Sequence, residues 1–517
     1  MDSNYNQRVF GLILAATLVR CLIAGFTELG NDEVYYWTYS QRLQWNYFDH
    51  PPMVAVWIRV FTLNLLLEGL ELFVRLGSII SAAICTWLLY RTTVIVHSSK
   101  AGWYAACLYT GSIYASVIAG VFIMPDSPQM LFWCFCLYLL AKIHEEPSSW
   151  RYWALFGLSL GLCTMSKVHA VFIPLGLVLY VVFRQRAWLT RPQIYVAAVI
   201  AAAVASPILL WNISNDFITY RFHSERVTVD TFQLNTSGFL REVFGQIGYN
   251  NPFNVFIVIC GLVAWKKRRL VSNPVLSLYG AIALPMIAVL IGVALFRNTF
   301  PHWSGPAHVT LLPLGAVYLA TLKPPATFPS LLRGSLVLAL VVAVAGLSLI
   351  HFYPGTLGKK SAERLGAGDF TLDMHGWGRG GEDFFRIYER EVESGRVAAG
   401  TPVVSHKWFP AAHLDYYFCR PQGIQLLGLG TINDLHHYAW LNEWRRPKVN
   451  LANAFCIVPS NEHDDARARY APFYATIDSI GRIDQLRSGN RCRYFTVYRL
   501  GGWKGTKLVL NEEVSGK

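Results

Sequence analysis

The chain has 517 residues, of which 53% are hydrophobic and 15% charged, with a formal net charge of +13. A mean hydropathy of +0.33 with so few charges excludes a disordered chain, a fibrous repeat and an ordinary soluble enzyme, in which roughly 25% of residues are charged. The basic balance, with a pI near 9.2, reads as contact with anionic lipid rather than with nucleic acid.

A helix that crosses the hydrocarbon layer needs about 20 mainly apolar residues. Eleven stretches qualify in chain order: 9–27, 71–96, 101–121, 127–143, 150–166, 168–184, 192–212, 252–265, 273–296, 304–322 and 331–350. The first lacks a strong basic leader and a small-residue cleavage site, so it reads as a retained span rather than a signal peptide. Beyond position 351 the sequence turns polar and mixed. There "GEDFFRIYEREVESG" has the period of an amphipathic helix, and "TPVVSHKWF", "GIQLLGL", "AFCIVPS" and "RYFTVYRL" have the look of short strands. The predicted architecture is an all-α polytopic membrane domain over 1–350, with a first outer loop at 28–70, followed by an extracytoplasmic α/β domain over 351–517.

Basic residues in the short loops set the orientation. Arg91 to Lys100, Lys142 to Arg151, Arg184 and Arg186, the run Lys266-Lys267-Arg268-Arg269, and Lys323 to Arg333 lie in alternate loops. Those loops are assigned to the cytoplasm. The opposite face then receives 28–70, 122–126, the turn at Lys167, 213–251, 297–303 and everything after 350. Nearly all motif-like residues of the membrane half fall on that outer face. Of the ten cysteines, seven lie in apolar runs and Cys419, Cys456 and Cys492 lie in the polar C-terminal part. No Cys/His spacing suits zinc, and at most one disulfide is open to the last three.

The outer segments carry the candidate chemistry. Asp32-Glu33 in "ELGNDEVYYW" is an acidic pair at a membrane–water boundary, suited to a general base or to hydroxyl recognition, and equally to a helix cap. Tyr36 belongs to an aromatic cluster that fits a sugar platform or an interfacial belt. In "WNYFDHPPMVAVW", Asp49-His50 precedes a helix that Pro51-Pro52 starts, where N–H groups attract anions. Asp126 in "FIMPDSPQMLFW" is the only charged residue between Lys100 and Lys142, and a lone carboxylate at the junction of two spans is a functional candidate. Lys167, with His169 in "TMSKVHAVF", is either a snorkelling lysine or a cation for a phosphate; Arg75 is a weaker case of the same kind. Asp216, Arg221, His223, Glu225 and Arg226 in one outer loop, and Arg297, His302 and Trp303 in another, add a basic and aromatic rim. The glycine run "GWGRGG" and the pair His436-His437 read as loop residues.

"NDEVYYWTYS…WNYFDHPPMVAVW" followed by "PDSPQMLFW" resembles the GT-C membrane glycosyltransferases. More narrowly it resembles the bacterial branch related to dolichyl-phosphate-mannose protein mannosyltransferases and to the lipid A aminoarabinose transferase. "LLWNISNDFITYRF" and "PHWSGPAHVTLLPL" fit the same branch, and the likeness covers about 1–350. It implies a polyprenyl-phosphate sugar donor (undecaprenyl phosphate in bacteria), an acceptor presented outside the cytoplasmic (inner) membrane and inversion at the anomeric carbon. It implies that Asp32 is the base, with Glu33 its acidic neighbour, and that Asp126 is a second important aspartate. Asp49-His50 stands where the aminoarabinose transferase has an acid followed by a lysine, which weakens His50 as a phosphate contact.

These readings combine into an inverting glycosyltransferase acting on lipid A, another glycolipid or glycan, or protein, embedded in membrane lipids and without nucleic-acid partners. Asp32 and Asp126 are the catalytic candidates. Glu33, Tyr36, Asp49, His50, Lys167, Arg221, His223 and His302 are the substrate-binding candidates, with Lys167, Arg221, His50 and His302 assigned to the donor phosphate. No cofactor is required; a divalent metal is compatible with the family, but no cage for one is visible. The rival readings are a polyprenyl-lipid or sugar flippase, which would want ionisable groups near the midplane, and a non-catalytic envelope assembly protein.

Overall fold

The computed structural model describes residues 2–228, 233–267, 270, 273–322, 329–462 and 464–510. Arg268, Arg269 and Lys323, counted above among the basic loop residues, lie outside the described residues, as does the side chain of Arg226. The chain divides into two compact units that do not follow chain order. The helical unit comprises 1–24, 44–65 and 72–344; the mixed unit comprises 25–43, 66–71 and 345–517. The first outer loop is therefore shared, with Asp32 and Glu33 in the mixed unit and Asp49 and His50 in the helical one.

Each of the eleven apolar stretches is helical, because an unbroken apolar run can satisfy its backbone only within itself. Asn4–Phe26, Glu71–Val96, Pro192–Ser214, Pro274–Ala294 and Ser330–Phe352 are long and apolar enough by themselves to cross a membrane. Others are shorter or broken. The stretch 101–121 divides into Ser99–Gly111 and a π-helical turn, Tyr114–Ile118. The turn at Lys167 continues as a 3-10 turn, Val168–Val171, before the helix Phe172–Arg184. The segment 213–251 holds two helices, Ile218–Val227 and Thr236–Tyr249. The second of these meets Pro252–Lys266 at a bend of 96°. The core of this unit is a continuous layer of buried Leu, Ile, Ala and Trp side chains, with Trp133 and Trp153 fully enclosed.

In the mixed unit, five strands form one sheet in the order Leu426–Gly428, Val403–Ser405, Asn453–Pro459, Asn490–Trp503, Tyr474–Arg487. The first two pairings are parallel and the last two antiparallel. The four predicted strand segments all lie in this sheet, whereas Tyr474–Arg487 carried no clear alternation in the sequence. It is an edge strand with half of its side chains exposed, and its register shifts at Ser479/Gly481 and Gln485/Leu486 break the two-residue period. The amphipathic segment is the helix Trp377–Glu393. It begins inside the glycine run, so Trp377 to Gly381 are helical rather than a loop. Gly376 supplies the left-handed turn (φ +81°) just before the first helical residue. His436 and His437 do lie in a turn, between Ile432–Leu435 and Tyr438–Arg445. All ten cysteines are free thiols.

Candidate active site

In the helical unit, Asp126 opens the helix Asp126–Glu145 and is 1% exposed. Its neighbour is supplied 41 residues later by the break between two spans: Lys167 Nζ donates to Asp126 Oδ2 at 2.7 Å, and Lys167 is 4% exposed. The lysine is therefore turned inward and does not snorkel. The other carboxylate oxygen accepts from the hydroxyl of Tyr114 at 2.9 Å. The π-helical turn opened by Tyr114 delivers that hydroxyl, and π turns commonly mark functional sites. A buried ion pair persists when its remaining valences are satisfied. One oxygen of Asp126 is shared with Tyr114, and the ammonium has three donors, of which Asp126 takes one.

Histidines from three further segments surround this pair. His50 and His302 both feel the charges of Lys167 and Asp126. Burial pushes both imidazoles down to about 4, so they stand neutral near pH 7. The His50 and His223 rings are 5.9 Å apart, and a ring nitrogen of His223 lies 2.6 Å from the Asp49 carbonyl oxygen. His169 lies beside Trp303, with ring centroids 5.5 Å apart. The helix Met53–Phe61 begins after Asp49-His50 as its prolines predict, and its first N–H donates to the Met165 carbonyl at 3.2 Å. Five separate sequence motifs thus converge: those of Asp126, Lys167, His50, His223 and His302. Arg221 is exposed on the helix Ile218–Val227. Arg75 is fully buried and donates to the Ala24 carbonyl at 3.1 Å.

In the mixed unit, Asp32 lies in the first turn of the helix Asn31–Gln41, where the helix dipole favours a carboxylate. Its side chain is exposed, whereas Glu33 is 2% exposed. Glu33 Oε2 accepts from the N–H of Gly30 at 2.9 Å, the reverse half of a capping box. This bond gives Glu33 a part in fixing the helix start that the dipeptide alone did not reveal. Tyr36 is 5% exposed and packs edge-on against Tyr39, so its ring is core here rather than an open platform.

The approach to Asp32 is held by the C-terminal part of the same unit. Glu28 accepts from the N–H groups of Trp377 and Gly378, each at 2.8 Å, at the start of a helix. His413, fully buried, bridges the carbonyls of Leu29 and Asp373 through Nε2 at 3.1 and 2.9 Å. Tyr417 takes the Leu29 N–H at 2.6 Å. Asp373 is a carboxyl that sequence reasoning missed. It is hydrogen-bonded to Asn31 and repelled by Asp32, and burial raises it to about 7 despite the nearby Arg493. Its only sequence signal was an acid just before the glycine run, which looked like an ordinary loop. Tyr114 was missed because a tyrosine inside an apolar run is indistinguishable from packing. Among the described residues, no group of three or more His, Cys, Asp or Glu side chains is arranged to hold a metal ion.

Residues 49–211 match the dolichyl-phosphate-mannose-protein mannosyltransferase family. The chain is 24% identical over 317 residues to the lipid A galacturonosyltransferase RgtD of Rhizobium johnstonii, a match spanning 60% of this chain and 65% of that protein. Its fold is that of ArnT from Cupriavidus metallidurans. The apo crystal structure superposes with a TM-score of 0.62 at 14% identity, covering 95% of this chain and 97% of that one. The structure bound to undecaprenyl phosphate gives 0.63 at 14% identity, covering 97% and 99%. By motif, sequence match and fold, the chain resembles the GT-C membrane glycosyltransferases of the branch that includes the protein mannosyltransferases and ArnT.

Proposed function

We propose that this protein is a polyprenyl-phosphate-sugar-dependent, inverting glycosyltransferase. In this reading it moves a sugar from undecaprenyl phosphate to a hydroxyl or phosphate of an extracytoplasmic acceptor, with lipid A the first candidate and another glycolipid, a glycan or a protein the alternatives. The observation that carries the reading is the buried Asp126–Lys167 pair ringed by neutral histidines, on a chain whose sequence relative is named for lipid A glycosylation. An ArnT of the same fold crystallised with undecaprenyl phosphate supports the donor class.

The chemistry asks little of the leaving group, because a lipid phosphate is already stable as an anion. It needs positive charge and N–H donors around it. Lys167 retains two donors beyond its bond to Asp126, and Arg221, His50, His223 and His302 complete the proposed phosphate surroundings. Asp126 and Asp49 orient sugar or acceptor, and Glu33 supports the helix that presents Asp32. Asp32 takes the proton from the acceptor hydroxyl as its oxygen bonds to the anomeric carbon. The bond from that carbon to the phosphate oxygen breaks on the opposite face, releasing polyprenyl phosphate.

The eleven spans, their placement in the inner membrane with the C-terminal domain on the periplasmic side, and a domain division near 351 belong to the same proposal. Cysteine labelling of loop positions in intact cells tests the topology. The function is tested by incubating purified protein with undecaprenyl-phosphate-linked uronic acid, aminoarabinose and hexose donors and lipid A, with products read by mass spectrometry. Transfer that depends on Asp32 supports the proposal. Transport of labelled polyprenyl lipid across proteoliposomes without sugar release would replace it with a flippase.

A further inference from the structure

Arg20 lies within the apolar segment Asn4–Phe26, and it is 2% exposed. A guanidinium inside a membrane span is costly and calls for a partner. Two of its nitrogens are occupied: Nε donates to the Ser116 carbonyl at 3.3 Å and Nη2 to the Ser116 hydroxyl at 3.2 Å. The third, Nη1, is buried and has no hydrogen-bond partner among the described residues. Among the described residues no carboxylate pairs with it; the ionisable groups near it are Tyr109, Cys85 and Cys21.

Arg20 opens onto a cavity of about 170 Å³ between the first span, the segment Thr110–Val117 and the helix Ser330–Phe352. All of its lining belongs to the helical unit. The walls are aliphatic, among them Leu12, Val19, Leu336 and Ala339, and Val19 and Leu340 are 38% and 54% exposed at its mouth. A second polar atom on this lining, the hydroxyl of Thr110, is also buried and unpartnered. The site therefore combines an uncompensated cation, a spare hydroxyl and a hydrocarbon-lined groove. A Cβ at position 120 would collide first with the carbonyl oxygens of Ala115 and Ser116 and come within 3.1 Å of Arg20 Nε, so Gly120 keeps the backbone beside the guanidinium in place.

We propose that this groove binds an anionic phospholipid: one phosphodiester oxygen accepts from Arg20 Nη1 and Thr110 Oγ1, and hydrocarbon chain lies along the aliphatic walls. A phosphodiester fits better than a phosphomonoester. The groove offers one cation, through one unpartnered guanidinium nitrogen, so a single negative charge is matched, whereas a second would be buried unpaired. The site shares no residue with the Asp126–Lys167 cluster, and it stands whether or not the proposed transfer is correct.

Native mass spectrometry of the full-length protein, released from detergent micelles, tests this with dioleoylphosphatidylglycerol as probe and dioleoylphosphatidylcholine as control. The expected result is one phosphatidylglycerol retained per chain under conditions that strip phosphatidylcholine. Arg20→Gln should lower that retention at least tenfold and Arg20→Lys less. Ala339→Trp, which keeps Arg20 and fills the groove, should lower it as much as Arg20→Gln, so a folding defect in the arginine variant leaves the test intact. Equal retention of both lipids, or retention unchanged in Ala339→Trp, overturns the proposal. Displacement of the phosphatidylglycerol by undecaprenyl phosphate at lower concentration also overturns it, in favour of a carrier-lipid site.

Discussion

The ammonium of Lys167 sits 2.7 Å from the carboxylate of Asp126, and both side chains are removed from solvent. The two residues come from separate motifs, and each alone had an unremarkable explanation: a turn residue for one, a snorkelling lysine for the other. Together they form a buried charge pair whose members depend on each other.

That dependence is measurable. Lys167→Ala strands a buried carboxylate, and breaking a buried pair by removing one partner costs about 3 to 5 kcal/mol. Thermal or denaturant unfolding in detergent should show a loss of that size. Removing both charges with Asp126→Asn and Lys167→Gln should restore most of the stability. Sugar transfer should remain absent in the double variant. A double variant as unstable as Lys167→Ala would mean that the pair is not the relevant interaction.

Asp32 and Glu33 should separate cleanly. Asp32 is exposed, so Asp32→Asn is expected to leave the melting temperature unchanged while lowering transfer by about 10² to 10⁴, the usual contribution of a general base. Glu33→Ala removes a charged acceptor from the Gly30 N–H, a bond worth about 1.5 to 3 kcal/mol. It should lower stability first and activity as a consequence. Wild-type turnover in purified Asp32→Asn would remove Asp32 from the role of base.

Glu28 joins the start of the Asp32 helix to the helix Trp377–Glu393 through two N–H bonds. Glu28→Ala should therefore loosen residues 25–43 without unfolding the sheet. The expected readout is faster limited proteolysis within 25–43 and reduced transfer, with the sheet's circular dichroism retained. Unchanged proteolysis would show that His413 and Tyr417 suffice to hold the segment.

Asp373 gives a pH signature. Its carboxyl is raised to about 7 by burial, with Asp32 adding to the effect, Arg493 and the bond to Asn31 opposing it, and Glu462 adding a smaller repulsion. The folded protein thus holds this proton more tightly than the unfolded chain. The stability it contributes is full below the unfolded carboxylate pKa near 4 and is lost as pH rises towards 7. Asp373→Asn should gain stability relative to wild type progressively from pH 4 to pH 7, and level off above. A constant difference in melting temperature across that window would contradict the assignment.

The histidines act in the opposite direction. His50, His302 and His375 are pushed down to about 4, chiefly by burial. Their neutral forms support the fold above pH 6.5, and that support is lost as pH falls towards 4. Unfolding of wild type should become easier across this range, and His302→Gln should reduce the slope. An unaltered slope in that variant would mean that His302 titrates as it does in the unfolded chain.

What the sequence determined by itself was local. Eleven apolar runs became helices, four of the five sheet strands were legible as short apolar segments, and the amphipathic period of 381–395 marked most of the helix Trp377–Glu393, since each pattern lies within a few residues. The first-loop motifs also carried the resemblance to the family whose pattern residues 49–211 match. Tertiary structure decided what depends on residues far apart in the chain. It joined Lys167 to Asp126, brought Tyr114 to the same carboxylate, divided the first outer loop between two units and set Asp373 beside the Asp32 segment. It also hid the edge strand 474–487, whose partner lies in the following strand and whose bulges erase the alternation. A carboxylate's burial, its partner and its protonation depend on the chain that folds around it, and no periodicity in the sequence records that enclosure.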